Sequence, residues 1–418
     1  MRRVAITGVG CICALGDGRR SLWEHAARGC SGIGPITHFD ARTFEVRLAA
    51  EVKTHPIVPD TCRSAALEDP KIGFALHAAG QALQDAGVTR LPPRALIHAG
   101  TSLEYFDPCK ILLEGSADFA SAVDASLRSG ARPFQVPLDT AVRCLAACYG
   151  TPAQSLTNVS ACAASTQAIG HAFRRVRDGS FDFALCGGFD SMLNPFGVGG
   201  FQLLGALSTD NVRGARACRP FDSARAGTVL GEGAAFLVLE PLDDAVARGR
   251  RVYGEILGYG SSLDAYKLSA PDTDGTGARA AMTRAVADAG LQPSDVDAVS
   301  AHATGTLLND EVEAGAIRRV LGTGWLRVPV LATKSLVGHL IGAAGAVETI
   351  ACLQGFGENR LHPNGSLERV ATGCELDHVV GTPRPFGGRV ILKNSFGFGG
   401  QNASLVLGRF QDAVATHR

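Results

Sequence analysis

Charge of either sign is not in excess, since 40 Lys and Arg stand against 40 Asp and Glu. That balance excludes the basic stripe of a nucleic-acid binder and the polybasic anchor of a membrane-surface protein. No run of 18 or more apolar residues occurs, so no membrane span is expected. Charged residues make up only 19% beside 46% apolar ones, which excludes an unfolded chain, and no low-complexity linker interrupts it. Nucleotide-cradling loops and Cys/His groups at zinc spacing are also missing. The twelve cysteines show no pairing framework, so reduced thiols in a cytoplasmic compartment are expected. Cys144 and Cys148 stand one helical turn apart. Without further ligands in the sequence they read as helix packing, and no metal is expected.

What is present points to layered α/β structure. The N-terminal "MRRVAITGVGCICALG" imitates a secretory signal, but its glycines and its Val-Ala-Ile-Thr pattern fit a buried first strand ending in a turn. "RALIHAG", "DFALCGG" and "AAFLVLE" read as further strands. Residues 71–87 and 276–290 read as helices, each closed by a glycine. Strand–helix alternation of this kind predicts α/β layering. A composition break near 241–256 divides the chain into 1–250 and 251–418. Both parts carry a similar helix end, A-L-x-D-A-G at 82–87 and A-V-x-D-A-G at 285–290, which favours internal duplication.

Four segments can carry chemistry. In "NVSACAAST" (158–166), Cys162 stands at the start of a helix. Either it packs as a small buried hydrophobe, or the helix dipole and backbone N–H groups lower its pKa below the usual ~8.5 and make it a nucleophile. In "HATGTLLND" (302–310), His302 ends a strand before an expected acidic helix start at Asn309-Asp310-Glu311. In "TKSLVGHLIGAAGAVE" (333–348), Lys334 lies five residues before His339 at a second strand-to-helix junction. Strand ends are where α/β sheets place sites. The Phe-Gly-Phe-Gly-Gly core of "NSFGFGGQN" (394–402) is either a tight hairpin or a set of backbone N–H donors. One thiol, two imidazoles and such a cradle suit decarboxylative carbon–carbon bond formation, in which neutral histidines stabilise an enolate.

With "LSTDN" and "RPFDSARAGTVLGEGAAFLVLE", these segments stand in an order that resembles the β-ketoacyl-acyl carrier protein synthases, condensing ketosynthases of the thiolase superfamily. The resemblance implies a five-layered αβαβα fold built from two duplicated halves. It implies that Cys162 takes the acyl chain and that His302 and His339 bind the malonyl thioester. Lys334 would set the electrostatics, and the N–H groups of Cys162 and Phe398 would form the oxyanion hole, with Phe398 as gate. Glu348, Thr304, Thr306, Asn394 and Gly399 are implied to support this set. No cofactor is implied beyond the phosphopantetheine of an acyl carrier protein. The implied partners are that carrier and a second ketosynthase-like subunit, identical or related, with no nucleic acid and no membrane.

Departures from the family pattern are local. Gln401 replaces a threonine beside the gate, Glu68, Asp69 and Pro70 stand where basic residues are usual, and Asp210 stands where arginine is common. Weakened basic contacts to an acidic carrier point to a dedicated carrier protein. A degradative thiolase would need another cysteine in the C-terminal glycine loop, which is absent. A non-catalytic chain-length partner would lack Cys162.

Overall fold

The computed structural model describes residues 1–105, 121 and 136–411. Along the main path of the large sheet, the first half contributes β1 Val4–Cys13, β2 Ala95–Thr101, β3 Gln154–Val159, β4 Phe183–Asp190 and β5 Gly233–Pro241. The second contributes β6 Gly254–Leu263, β7 Ala298–Ser300, β8 Pro329–Leu331, β9 Asp377–His378, β10 Val390–Gly397 and β11 Gln401–Gly408. The spatial order is β3-β2-β4-β5-β1 and then β6-β11-β10-β7-β8-β9. Apart from β9, the second series is the first reversed. The series meet where Val4–Ile6 pairs with Gly254–Ile256.

The helices complete the layers. Helix α1 (Pro70–Asp85) and α2 (Thr140–Tyr149) cover the outer face of the first series. Between the two series lie α3 (Ala164–Arg177) and α6 (Ala344–Glu358), each packed on strands of both halves. Every residue of α6 from Ala344 to Phe356 is buried, as a central layer requires. Helix α4 (Thr276–Asp288) covers the second series, with α5 (Leu307–Leu321) against it.

The duplication extends to single atoms. A Cβ added at Gly8 or Gly10 would lie 2.2 Å from the carbonyl oxygens of Ala82 and Ala78. At Gly258 and Gly260 it would lie 2.3 and 2.2 Å from those of Ala285 and Ala281. Glycine is therefore what lets each outer helix settle onto its strand. The repeated aspartates act alike: Val9 N donates to Asp85 Oδ2 at 3.0 Å, and Tyr259 N donates to Asp288 Oδ2 at 2.9 Å.

Two sequence expectations change. Asp69 is not a surface charge but the buried N-cap of α1, accepting the Lys71 N–H at 3.1 Å, with Pro70 as the first helical residue. The helix expected from Asn309 begins at Leu307, because Asp310 turns inward and accepts the N–H groups of Phe221 (2.8 Å) and Gly305 (3.2 Å).

Gly10→Ala and Gly260→Ala should each lower stability by about 1–3 kcal/mol through overpacking. Thermal unfolding checks this. An unchanged Tm in both variants would show that these close approaches are slack.

Candidate active site

Two elbows, one from each half, meet between the series. Ala161 takes a left-handed φ of 47° before a short 3-10 turn, Ala161–Ala163, and α3 follows. Ile341 does the same at φ 43° before Ile341–Ala343 and α6. Non-glycine residues rarely adopt this conformation, and here it throws the next residue, Cys162 or Gly342, inward. The elbow of each half packs against the strand end of the other, Cys162 beside Gly397 at the end of β10 and Gly342 beside Asp190 at the end of β4. Asp190 Oδ2 accepts the Gly342 N–H at 2.8 Å. Gly397 has no side chain to do this at the first elbow, where it stands beside the Cys162 N–H.

The sequence-derived residues converge here. His339 Nε2 lies 3.0 Å from Cys162 Sγ, and the two histidine rings stand edge to face at 5.4 Å. Lys334, the first residue of a short helix after β8, reaches His302 Nδ1 at 3.1 Å, His302 O at 2.6 Å and Glu348 Oε1 at 2.5 Å. Phe398 occupies the turn between β10 and β11, its ring stacked on Phe201 at 6.2 Å. Gly399 next to it has φ 74° and donates its N–H to Leu268 O at 2.7 Å. Thr304 and Thr306 share a hydroxyl hydrogen bond of 2.9 Å and line the same cavity of about 320 Å³ as Cys162, both histidines and Phe398. Asn394 stands behind the site, accepting from Ser404 Oγ and donating to Glu313.

The hydrogen bonds fix both imidazole tautomers. The Ile341 N–H donates to His339 Nδ1 at 3.2 Å, so the proton of that ring is on Nε2. The Lys334 ammonium donates to His302 Nδ1, which puts the proton of the second ring on Nε2 as well. Burial, then the positive charge of Lys334, holds both histidines well below their ordinary pKa. Each is a neutral ring with its proton on Nε2, and that of His339 faces Cys162 Sγ.

The thiol departs from expectation. Burial pushes Cys162 up to about 11, outweighing the pull of Lys334 and of the Phe398 and Cys162 N–H groups. A helix start lowers a thiol pKa when water can also reach it, but this sulfur is buried. The resting residue is a thiol, and its proton leaves only as chemistry proceeds.

Three groups were not singled out in the sequence. Lys393, in the middle of buried β10, lies 3.1 Å from Glu348 Oε2 and donates to Thr166 at 2.9 Å and to Ser395. Glu313 accepts the N–H groups of His302 (2.7 Å) and Ala303 (2.8 Å) and fixes the strand end. Asp190 fixes the second elbow. The donor atoms of Cys162, His302 and His339 lie within 4.8 Å of one another, a set suited to a soft cation by atom type. The Lys334 ammonium beside His302 opposes a cation there.

The depressed histidines give a pH prediction. Below about pH 6.5 the unfolded chain takes up protons that folded His302 and His339 refuse, so their stabilising effect is complete above that pH and fades below it. The double variant His302→Asn/His339→Asn should lose Tm less steeply between about pH 6.5 and about pH 5. An unchanged slope would contradict this assignment.

Residues 1–245 match the family model for the beta-ketoacyl synthase N-terminal domain, and residues 253–368 that for the C-terminal domain. Proteins called 3-oxoacyl-[acyl-carrier-protein] synthase 2 from Coxiella burnetii and Synechocystis sp. are 36% and 37% identical, covering 98% of this chain and 99% of each relative. The solved ishigamide ketosynthase/chain length factor is 33% identical with a TM-score of 0.84. A beta-ketoacyl synthase from Burkholderia phymatum STM815 is 31% identical with a TM-score of 0.86. A type II polyketide synthase ketosynthase, solved in complex with its acyl-carrier protein, is 27% identical with a TM-score of 0.86. Each of these structures covers 98% of this chain and is itself covered completely. Two domain models matched in order, on a duplicated thiolase-like scaffold, leave one assignment: the chain belongs to the beta-ketoacyl synthase family.

Proposed function

We propose that the chain is a β-ketoacyl-acyl carrier protein synthase that elongates an acyl thioester held on Cys162 by decarboxylative Claisen condensation with a malonyl carrier thioester. The observation that carries this reading is the pair of neutral imidazoles with protonated Nε2 atoms beside one thiol. In the first step Cys162 Sγ attacks the acyl carbonyl. The oxyanion is held by the Cys162 and Phe398 N–H groups, and the carrier leaves as its thiol with the cysteine proton. In the second, the malonyl thioester oxygen accepts both Nε2–H bonds while carbon dioxide departs, leaving an enolate. Its carbon attacks the acyl-cysteine carbonyl, the β-ketoacyl product stays on the carrier, and Cys162 regains a proton from water. Metal chemistry and a resident cofactor have no part in this scheme. Thr304 and Thr306 line the route along which a phosphopantetheine arm would enter.

The carrier and subunit arrangement belong to the same reading. Asp210 lies 3.5 Å from Arg213, so its charge is partly met within the chain, and Glu68 is exposed. Both leave this face less basic than a general carrier would favour, which supports a dedicated carrier protein. Strand β3 is the free edge of the first series among the described residues, with Leu156 and Val159 37% and 50% exposed. A free edge carrying two exposed apolar side chains supports pairing with a second ketosynthase-like subunit. Similarity to a ketosynthase/chain length factor structure makes a related partner as reasonable as an identical one.

Incubation with an acyl carrier thioester should add one acyl group, read by intact mass, that is absent in Cys162→Ala. No adduct on the unaltered chain would favour a non-catalytic partner role. His302→Ala and His339→Ala should keep the adduct and lose condensation by about 10²–10³-fold, the scale for a lost oxyanion donor.

A further inference from the structure

Away from the active site, three of the cysteines meet. Cys62 ends a short 3-10 turn, Asp60–Cys62, that leads into the helix Arg63–Glu68. Cys144 and Cys148 lie one turn apart on α2 and face the same spot. Cys62 Sγ lies 3.5 Å from Cys148 Sγ and 3.8 Å from the Cys144 carbonyl oxygen. Thr61 Oγ1 lies 3.8 Å from both the Cys62 and Cys148 sulfurs. Cys62 is buried, while Cys144 and Cys148 are half-buried and reachable from solvent.

We infer that Cys62 and Cys148 form a reversible dithiol–disulfide site, with Cys144 as an adjacent exchange thiol, that ties the Arg63–Glu68 helix to α2 when the chain is oxidised. The two sulfurs need to close from 3.5 Å to the ~2.05 Å of a bond, a change within reach of side-chain rotation. The two elements already pack in one apolar cluster that includes Ile72, Phe74 and Leu145, so closure asks little of the backbone. Other cysteines show no comparable contact among the described residues. Cys186, Cys218, Cys352 and Cys374 are buried singly, and Cys30 is exposed and alone. Cys11 and Cys13 sit two apart on β1.

The oxidant is a low-molecular-weight disulfide such as oxidised glutathione. Cys148 as thiolate attacks one of its sulfurs and releases one glutathione, leaving a mixed disulfide. Cys62 Sγ then displaces the second glutathione, and the two protons lost by the protein thiols end on the two glutathione molecules. Burial raises the Cys148 thiol, so closure should quicken as pH rises. The tie has a mechanical meaning. The Arg63–Glu68 helix walls a cavity of about 980 Å³ through Arg63, Ala66 and Leu67, and that cavity reaches Leu193 and Asn194 near the active site. An oxidised chain would hold this wall fixed against α2.

The test uses the full chain, reduced, desalted and treated with a chelator before oxidised glutathione is added. The expected result is an intact mass lower by two hydrogen atoms before alkylation, two fewer alkyl groups than the reduced chain takes up after it, and a peptide pair linking Cys62 to the α2 peptide. All should be reversed by dithiothreitol, and the oxidised form should melt a few degrees higher because the bond closes a long loop. Cys144 and Cys148 share one tryptic peptide, so variants assign the bond. The link should survive Cys144→Ser and vanish in Cys148→Ser, a half-buried position that does not threaten folding. Full alkylation of both Cys62 and Cys148 after oxidation, glutathione on Cys30 alone, or a link that survives Cys148→Ser would each overturn the assignment. Condensing activity is not part of the readout, so failure here leaves the proposed reaction untouched.

Discussion

The active site depends on one buried ammonium. Lys334 is wholly enclosed, yet it donates to His302 Nδ1, to the His302 carbonyl and to Glu348. Burying a charge without partners is prohibitive, and even a paired one is at best neutral for stability. Its retention is therefore explained by what it does to its neighbours. It fixes the His302 tautomer, and with burial it keeps both rings neutral. Glu348 offsets it and also faces Lys393 at 3.1 Å, so one carboxylate lies between two ammoniums. The set retains a positive bias near the thiol, where negative charge develops during acyl transfer.

Around that charge, position is set by backbone and not by flexible side chains. The Ile341 N–H orients His339, the Glu313 carboxylate clamps the backbone at His302 and Ala303, and the left-handed residues Ala161 and Ile341 fix the two elbows. Gln401 adds a link that a threonine at this place could not reach. It accepts from Gln167 Nε2 at 3.1 Å, tying the turn that carries Phe398 to α3. The Phe398 turn and the helix that follows Cys162 are thus fastened to each other through two amides.

Much of this was readable in the sequence, for physical reasons. Cys162, His302, Lys334 and His339 sit at strand-to-helix junctions rich in small residues, where side chains from separate strands must converge. The duplication was readable because the two outer helices end alike, and their shared aspartates, Asp85 and Asp288, each hold a strand N–H. What was not readable depends on long-range environment. Asp69 looks like a surface charge until α1 is seen to cap itself with it. The Cys162 thiol looks activated by its helix until its desolvation is known. Lys393, Glu313 and Asp190 act across halves or between distant segments, and no local pattern marks them.

Asp190 explains an asymmetry in an otherwise repeated molecule. Each half presents an inward-turned backbone N–H, and either one has the form of an anion receptor. At the second elbow the receptor carries its own fixed acceptor, the Asp190 carboxyl oxygen on Gly342 N. At the first, Gly397 stands beside the Cys162 N–H and offers no such side chain. The same elbow is thus an internal brace in one half and the seat of Cys162 in the other. The brace is the turn that aims His339 at Cys162.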